Sequence, residues 1–337
     1  MSTIGLFGGS FDPITSAHVK IGLAALDYEK LDEVWYVVAK DQPLKDEHYA
    51  SIDDRIAMIE IAVAPYEKLK VCTIEKDLDT PSYTLKTIEA LEKQYPNQQF
   101  KWIMGADSYV SLPNWYESKT LMDKLSFIVL SRNETLLSLR DEDRLLDLQF
   151  EGSSSDVRSG QFKYVDSKVI DYIFKHHLYL EAILRKSLSK NRADHVLRVV
   201  DVALEINEAV GLDPTDVYVA AILHDITKED HSDRQMDIMK HYYNEHLHYH
   251  PKVYHQFTGA YAAKHQFKIE NEAIVDAIMH HTTGTSDAPL AKLIYIADKV
   301  ERGRPYPTEA YIQLSKEDLN AGFQRVKADA IQALKEK

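Results

Sequence analysis

Five short runs rich in β-branched and aromatic residues, spaced by amphipathic stretches, set the first half of this chain apart from the second. The runs span residues 3–7, 33–38, 70–74, 100–104 and 126–130. Each has strand length and strand composition. Between them, residues 21–28, 54–63 and 84–95 carry the apolar spacing of helices. A βαβα rhythm of this kind predicts an α/β domain with a doubly wound, mostly parallel sheet covered on both faces. Ligands of such sheets bind beyond the carboxyl ends of the strands.

After about residue 180 the strand-like runs stop. Helical patterns follow one another over residues 193–210, 215–224, 257–266, 272–280 and 290–300, so the second half reads as all-α. Histidine shifts with them, eleven of the fifteen falling after residue 190. At 337 residues the chain exceeds the size at which one core keeps growing, which also favours two domains. The expected division is 1–184 and 185–337, with no Pro/Gly linker to mark it.

The net charge of -13 argues against a nucleic-acid partner, which requires a basic stripe. It leaves nucleotides open, since these need only a few local cations. No segment reaches the ~20 uninterrupted apolar residues of a membrane helix, and the N-terminus lacks the pattern of a secretory signal. Cys72 is the single cysteine and lies in a strand-like run. A buried thiol in a reducing compartment is expected, and the chain is expected to be cytoplasmic. Homo-oligomerisation stays open.

Two constellations carry chemistry. Gly8-Gly9-Ser10-Phe11-Asp12-Pro13 follows the first expected strand directly, and Thr15-Ser16-Ala17-His18 then opens a helix. Glycines there let backbone approach a phosphate, and the helix start offers free N–H groups with the positive end of its dipole. His18 falls in the first turn. Ser153-Ser154-Ser155, placed before Val157-Arg158, reads as a second helix N-terminus able to meet an anion. Trp115 sits in a loop-like context, as an aromatic face or as core. Asp107, beside Gly105, is placed to meet a ribose or to cap a helix.

These strings resemble the nucleotidyltransferases with the (H/T)xGH motif, and specifically the nicotinate mononucleotide adenylyltransferase family, with Ala17 where that family usually has Gly. Pro43-Leu44-Lys45, Arg55-Ile56-Ala57-Met58, Pro81-Ser82-Tyr83-Thr84, Gly105-Ala106-Asp107 and Leu112-Pro113-Asn114-Trp115 match further segments in order. The resemblance covers roughly residues 1–180. It implies AMP transfer from ATP to nicotinate mononucleotide with Mg²⁺. His18, Lys45 and Arg158 would stabilise charge at the reacting phosphorus. Gly8, Gly9, Ser10, Phe11, Asp12, Thr15, Thr84, Gly105, Asp107, Trp115, Ser154 and Ser155 would bind substrates. Such catalysis is positioning and electrostatics rather than covalent chemistry.

The second constellation is His195, His224-Asp225, His255, His281 and Asp298. Asp225 and Asp298 each end a strongly apolar run, where a lone carboxylate is costly unless paired or metal-bound. Six ligand-type residues, mostly on separate helices of one small domain, favour a metal site. The order H…HD…H…H…D resembles the HD superfamily, and the local strings resemble its symmetrical diadenosine tetraphosphatases. That likeness implies one metal on His195, His224, Asp225 and Asp298. A second would be completed by His255 and His281, with Asp225 bridging. Lys228 and Arg304 would hold phosphates. Imidazole with carboxylate suits iron or manganese. His241, His246, His248 and His250 read as surface or lid residues.

Diadenosine tetraphosphate cleaved to two ADP is the expected second reaction. Rival readings give the first site nicotinamide mononucleotide or phosphopantetheine, and the second guanosine polyphosphates or mononucleotides. A further rival makes the helical half a nucleotide sensor without turnover.

Overall fold

The structure is a computed structural model that describes residues 2–41, 49–131 and 138–335. Within its α/β part the elements run β1 Ser2–Gly9, α1 Ser16–Tyr28, β2 Glu33–Val38, α2 Ile52–Val63, β3 Leu69–Cys72 and α3 Thr84–Gln94. They continue with β4 Gln98–Gly105, α4 Ala106–Ser111, α5 Ser118–Lys124, β5 Ser126–Ser131, β6 Arg144–Asp147, α6 Ser154–Val157 and α7 Ser167–Lys175. The helical part contains α8 Leu180–Ser187, α9 Lys190–Val210, α10 Pro214–Leu223, α11 Ser232–Tyr242 and α12 Tyr254–His265. It ends with α13 Glu272–His280, α14 Pro289–Val300, α15 Glu309–Glu317 and α16 Leu319–Lys335.

The six strands form one parallel sheet in the order β3-β2-β1-β4-β5-β6. Order reverses between β1 and β4, so a crevice opens at their carboxyl ends, the place where such sheets hold ligands. Gly8-Gly9 ends β1 and Gly105 ends β4, which brings the expected phosphate string and the expected Gly105-Ala106-Asp107 nucleotide string to that switch point. Gly8 also has a packing reason to be glycine. A Cβ there would run into the Trp102 ring on β4. The sheet core is built from the expected runs, including Ile4, Leu6, Val37, Trp102, Met104, Phe127 and Val129. Cys72 joins it as a buried free thiol, and burial pushes its pKa up.

β6 was not among the expected strands. It is an edge strand of four residues with one buried side chain, so it carries no apolar run to read. Residue 74 falls in a 3₁₀ turn rather than in β3.

The helical part has a strongly apolar helix at its centre. Every residue of α10 from Val217 to Leu223 is buried. A helix that is apolar all round must be enclosed by its neighbours. α9, α13, α14 and α8 pack against it. Its start is set by Asp213, whose carboxylate accepts from the Thr215 and Asp216 N–H groups, and by Pro214 in the first turn. α9 stops at Gly211, whose φ of 77° suits glycine.

The chain forms two compact units, one of residues 1–157 with 164–172, the other of 158–163 with 173–337. The seam differs from the expected 184/185 division because apolar side chains on both earlier segments are buried in the helical unit. Phe162 packs on Phe174 and Phe267, with ring centroids 5.8 and 5.5 Å away, and its N–H donates to the Gln266 carbonyl. Leu180, Ile183 and Leu184 of α8 are buried as well. Loss of one such side chain costs on the order of 2–5 kcal/mol. A fragment of residues 185–337 should therefore melt several degrees below one of 173–337 in thermal denaturation. Equal melting would remove α8 from the helical core.

Candidate active sites

At the carboxyl end of β1 the chain turns sharply into α1. Phe11 has a φ of 47°, unusual for a bulky residue, and is buried. The turn is pinned by Arg55, itself buried, whose Nη1 donates to the carbonyls of Ser10 and Ala39 at 2.8 Å each. Asp12 is buried and accepts from the Tyr49 N–H at 2.8 Å. Thr15 caps α1 reciprocally with His18. The Thr15 N–H donates to His18 Nδ1 at 3.0 Å, and the Thr15 hydroxyl lies 2.9 Å from the same atom. Phe7 and Phe11 flank the imidazole with centroids 6.0 and 5.3 Å away. The ring is thus held at the helix start by its own cap.

The other expected residues fall as follows. Gly105 is the N-cap of α4, and a Cβ there would meet nothing within 4 Å; Asp107 is in the first turn. Thr84 begins α3, and the preceding Tyr83 stacks on Tyr116 at 4.4 Å and 22°. Trp115 is half-buried against the sheet core, with Nε1 donating to the Ser111 hydroxyl at 3.2 Å. Ser154 donates to the Pro13 carbonyl at 2.7 Å, tying the serine string to the turn after β1. The helix expected after Ser153-Ser154-Ser155 is one turn, α6, whose start is capped by Asp156 accepting from the Ser153 N–H and hydroxyl. Arg158 belongs to the 158–163 segment of the helical unit. Lys45 lies outside the described residues.

In the helical unit all six proposed ligands converge, and all are buried. His195 comes from α9, His224 and Asp225 from just past α10, His255 from the first turn of α12, His281 from just past α13 and Asp298 from the last turn of α14. Asp225 divides its two oxygens. Oδ1 lies 3.3 Å from His255 Nε2 and 3.5 Å from His281 Nε2, whereas Oδ2 lies 3.7 Å from His224 Nε2 and 3.9 Å from His195 Nε2. Asp298 Oδ1 stands 3.2 Å from His195 Nε2 and 4.0 Å from His224 Nε2. Two groups, His195-His224-Asp298 and His224-Asp225-His281, each bring their donor atoms within 4.8 Å of one another.

The surrounding contacts aim Nε2 atoms inward. His224 Nδ1 lies 2.7 Å from the Ala221 carbonyl and His281 Nδ1 2.7 Å from that of Ile278, one turn back on each helix. His195 Nδ1 lies 3.2 Å from Glu301 Oε1. Glu301 is in turn fixed by Arg198 at 2.5 Å and by the Gly303 N–H at 2.6 Å. A carbonyl or carboxylate behind the imidazole is how metal-binding histidines are oriented. Among the described residues, His224 Nε2 is buried without a hydrogen-bond partner. An orphaned imidazole nitrogen facing two carboxylates fits a cation.

Electrostatics agree. Burial pushes His224 down to about 4 and His255 down to about 2, so both rings are neutral near pH 7. Burial would raise Asp225 and Asp298, but their neighbours outweigh it and both stay below the ordinary carboxylate range. His224, His281 and His255 act on Asp225; Lys299 and then His195 act on Asp298. Neutral imidazoles and ionised carboxylates are the protonation states a metal requires.

Cations line the rim. Lys228 Nζ lies 3.0 Å from His255 Nε2, and burial pushes its pKa down. Arg304 Nη2 lies 3.1 Å from Asp298 Oδ1, Lys299 Nζ 2.6 Å from Asp298 Oδ2, and Arg192 Nη1 3.1 Å from Asp225 Oδ2. Sequence reasoning missed Glu301, Arg192 and Lys299. Lys299 and Glu301 lie within three positions of Asp298, and Arg192 three before His195, which is the signal that could have found them. Among the surface histidines, His246 stacks on Phe257 at 4.5 Å.

Glu301→Gln tests the orientation of His195. It should weaken metal retention about 10–100-fold in competition with a chelator. Retention equal to the unsubstituted protein would make Glu301 a purely structural anchor for Arg198.

A parallel sheet with a phosphate-type turn at its switch point, followed by a helical cluster of imidazoles and carboxylates, defines a nucleotide-handling protein with a metal-binding helical domain. Residues 6–160 match the cytidylyltransferase-like family and residues 192–303 match the HD domain, a divalent-metal module whose His/Asp cluster is present here. A Mycoplasma pneumoniae protein named probable nicotinate-nucleotide adenylyltransferase/Ap4A hydrolase is 27% identical over 95% of this chain and 96% of its own. The probable nicotinate-nucleotide adenylyltransferase of Halalkalibacterium halodurans is 34% identical over 56% of this chain and 95% of its own. A solved structure from Clostridium acetobutylicum, described as a predicted HD superfamily hydrolase involved in NAD metabolism, overlaps 47% of this chain and 86% of its own at 26% identity and a TM-score of 0.43. The chain belongs to the nicotinate-nucleotide adenylyltransferase family and carries an HD domain after its transferase domain.

Proposed function

We propose that the α/β unit transfers AMP from ATP to nicotinate mononucleotide, releasing pyrophosphate and nicotinate adenine dinucleotide, with Mg²⁺ bound to the nucleotide. The helical unit hydrolyses diadenosine tetraphosphate symmetrically to two ADP. The observation that carries the second activity is the division of the Asp225 oxygens between two sets of imidazoles, the arrangement of a carboxylate shared by two ions. His195, His224, Asp225 and Asp298 would hold one ion, and His255 and His281, with Asp225, the other. Iron or manganese suits these donors. Such a pair supplies an activated water and neutralises phosphate oxygens. Lys228 and Arg304, on the rim, hold flanking phosphates as point charge and planar fork.

In the transferase, the N–H groups at the start of α1 and the turn after Gly9 receive phosphate, and His18 stabilises the charge that builds on the reacting phosphorus. Lys45 and Arg158 contribute further positive charge. Gly105, Asp107, Thr84 and Trp115 line the nucleotide and pyridine ends of the crevice. No helix among the described residues is long and apolar enough to cross a membrane, in keeping with a cytoplasmic enzyme of small nucleotides. The test is metal analysis of the purified protein with both reactions assayed on one preparation. Metal-loaded protein that leaves diadenosine tetraphosphate intact overturns the hydrolase reading. Failure to form nicotinate adenine dinucleotide overturns the transferase reading.

A further inference from the structure

A cavity of about 230 Å³ lies in the helical unit between α14, α15 and α16, walled by Val300, Tyr306, Tyr311, Val326 and Ala330, with Lys299 and Asp329 as its charged edges. It is smaller than the ~300–1,000 Å³ of sites for drug-sized ligands. Its size suits one end group of a dinucleotide, not the whole molecule. Two connections join it to the metal cluster. Lys299 lines the cavity, yet its Nζ reaches 2.6 Å from Asp298 Oδ2. The loop after α14 carries Arg304, whose guanidinium donates to the Asp298 carbonyl, and two residues later Tyr306, whose hydroxyl donates to the Lys299 carbonyl. One short loop therefore faces the cluster with a cation and the cavity with a ring.

The geometry points to this cavity as the seat of a purine nucleoside, the end group of the nucleotide whose phosphates lie at the HD cluster. This rests on the hydrolase reading above and adds the part of the site that recognises the nucleoside. Tyr306 and Tyr311 offer ring surface, and the valines and alanine an apolar floor. Asp329 accepts from Tyr311 Oη and Arg325 Nε at 2.8 Å each. A carboxylate has acceptor sites beyond those two, and a purine amine supplies a donor for one of them. Lys299 and Arg304 then stand between base and cluster, where the phosphate chain has to run.

Ala330→Phe fills the cavity from α16 and leaves Asp298, Lys299 and Arg304 unsubstituted. In the full-length metal-loaded protein it should raise the ADP concentration that half-inhibits hydrolysis of diadenosine tetraphosphate about tenfold. Inhibition by inorganic tripolyphosphate, which has no nucleoside, should hold, as should metal content and adenylyl transfer. ADP and tripolyphosphate weakening together, or neither weakening, overturns the assignment. Calorimetric titration with ADP separates this from the hydrolase reading. Unsubstituted protein that leaves the dinucleotide intact, but shows an ADP site lost in Ala330→Phe, refutes the hydrolase reading and keeps the nucleoside site.

Discussion

Asp225→Ala should strip more metal from the protein than any other single ligand substitution and reduce diadenosine tetraphosphate hydrolysis to background. Asp225 is the one proposed ligand whose two oxygens face different imidazole pairs, His255 with His281 and His195 with His224. Its removal takes a donor from each half of the centre. His255→Ala vacates a single position and should leave metal bound by His195, His224 and Asp298. Truncating Asp225 also leaves the buried imidazoles facing one carboxylate in place of two, a poor donor set for two ions. Adenylyl transfer should survive, because its proposed groups at the end of β1 and the start of α1 belong to the other compact unit. Metal content by atomic emission, with both reactions run on the same preparation, decides the matter. Full metal and full hydrolysis in Asp225→Ala would end the two-ion reading. Loss of both reactions in a folded protein would mean that the two activities are coupled.

The second large effect concerns the transferase. His18→Ala should lower the turnover of adenylyl transfer by on the order of 10²-fold, comparable to loss of one preorganised charge-stabilising donor. The Michaelis constant for nicotinate mononucleotide should move far less than turnover, since His18 is set at the α1 start by Thr15 and by Phe7 and Phe11 rather than along the pyridine end of the crevice. Thr15 loses a capping partner in this variant, which costs about 1 kcal/mol of helix stability. Circular dichroism therefore accompanies the kinetics. Arg158→Ala should reduce turnover similarly. Steady-state kinetics in which both variants keep full turnover would remove the proposed phosphate site.

Much of this was legible before folding. All five expected strands occur in one parallel sheet, and the six expected ligands meet in one cluster. Strand runs and apolar helices are local patterns, visible because side chains repeat with the period of the element they build. The chemistry strings were legible for another reason. Histidine or aspartate closing a run as apolar as 217–223 is a costly choice unless the group is paired or metal-bound.

What remained hidden depends on chain segments far apart in sequence. Edge strand β6 has almost no apolar face, and α11 has one buried residue, so neither carries a period to detect. The seam between the units is set by burial of Phe162, Leu180 and Leu184, which look like any other apolar residues in the string. Glu301 stands 106 positions from the His195 it orients, and Arg192 stands 33 from Asp225. The sequence by itself determined the two fold classes and which imidazoles and carboxylates come together, because propensity, period and the cost of buried charge are written locally. Which oxygen faces which imidazole, which cations guard the rim and where a nucleoside-sized cavity opens were decided only by tertiary packing. Those are distances between helices, and no local pattern encodes them.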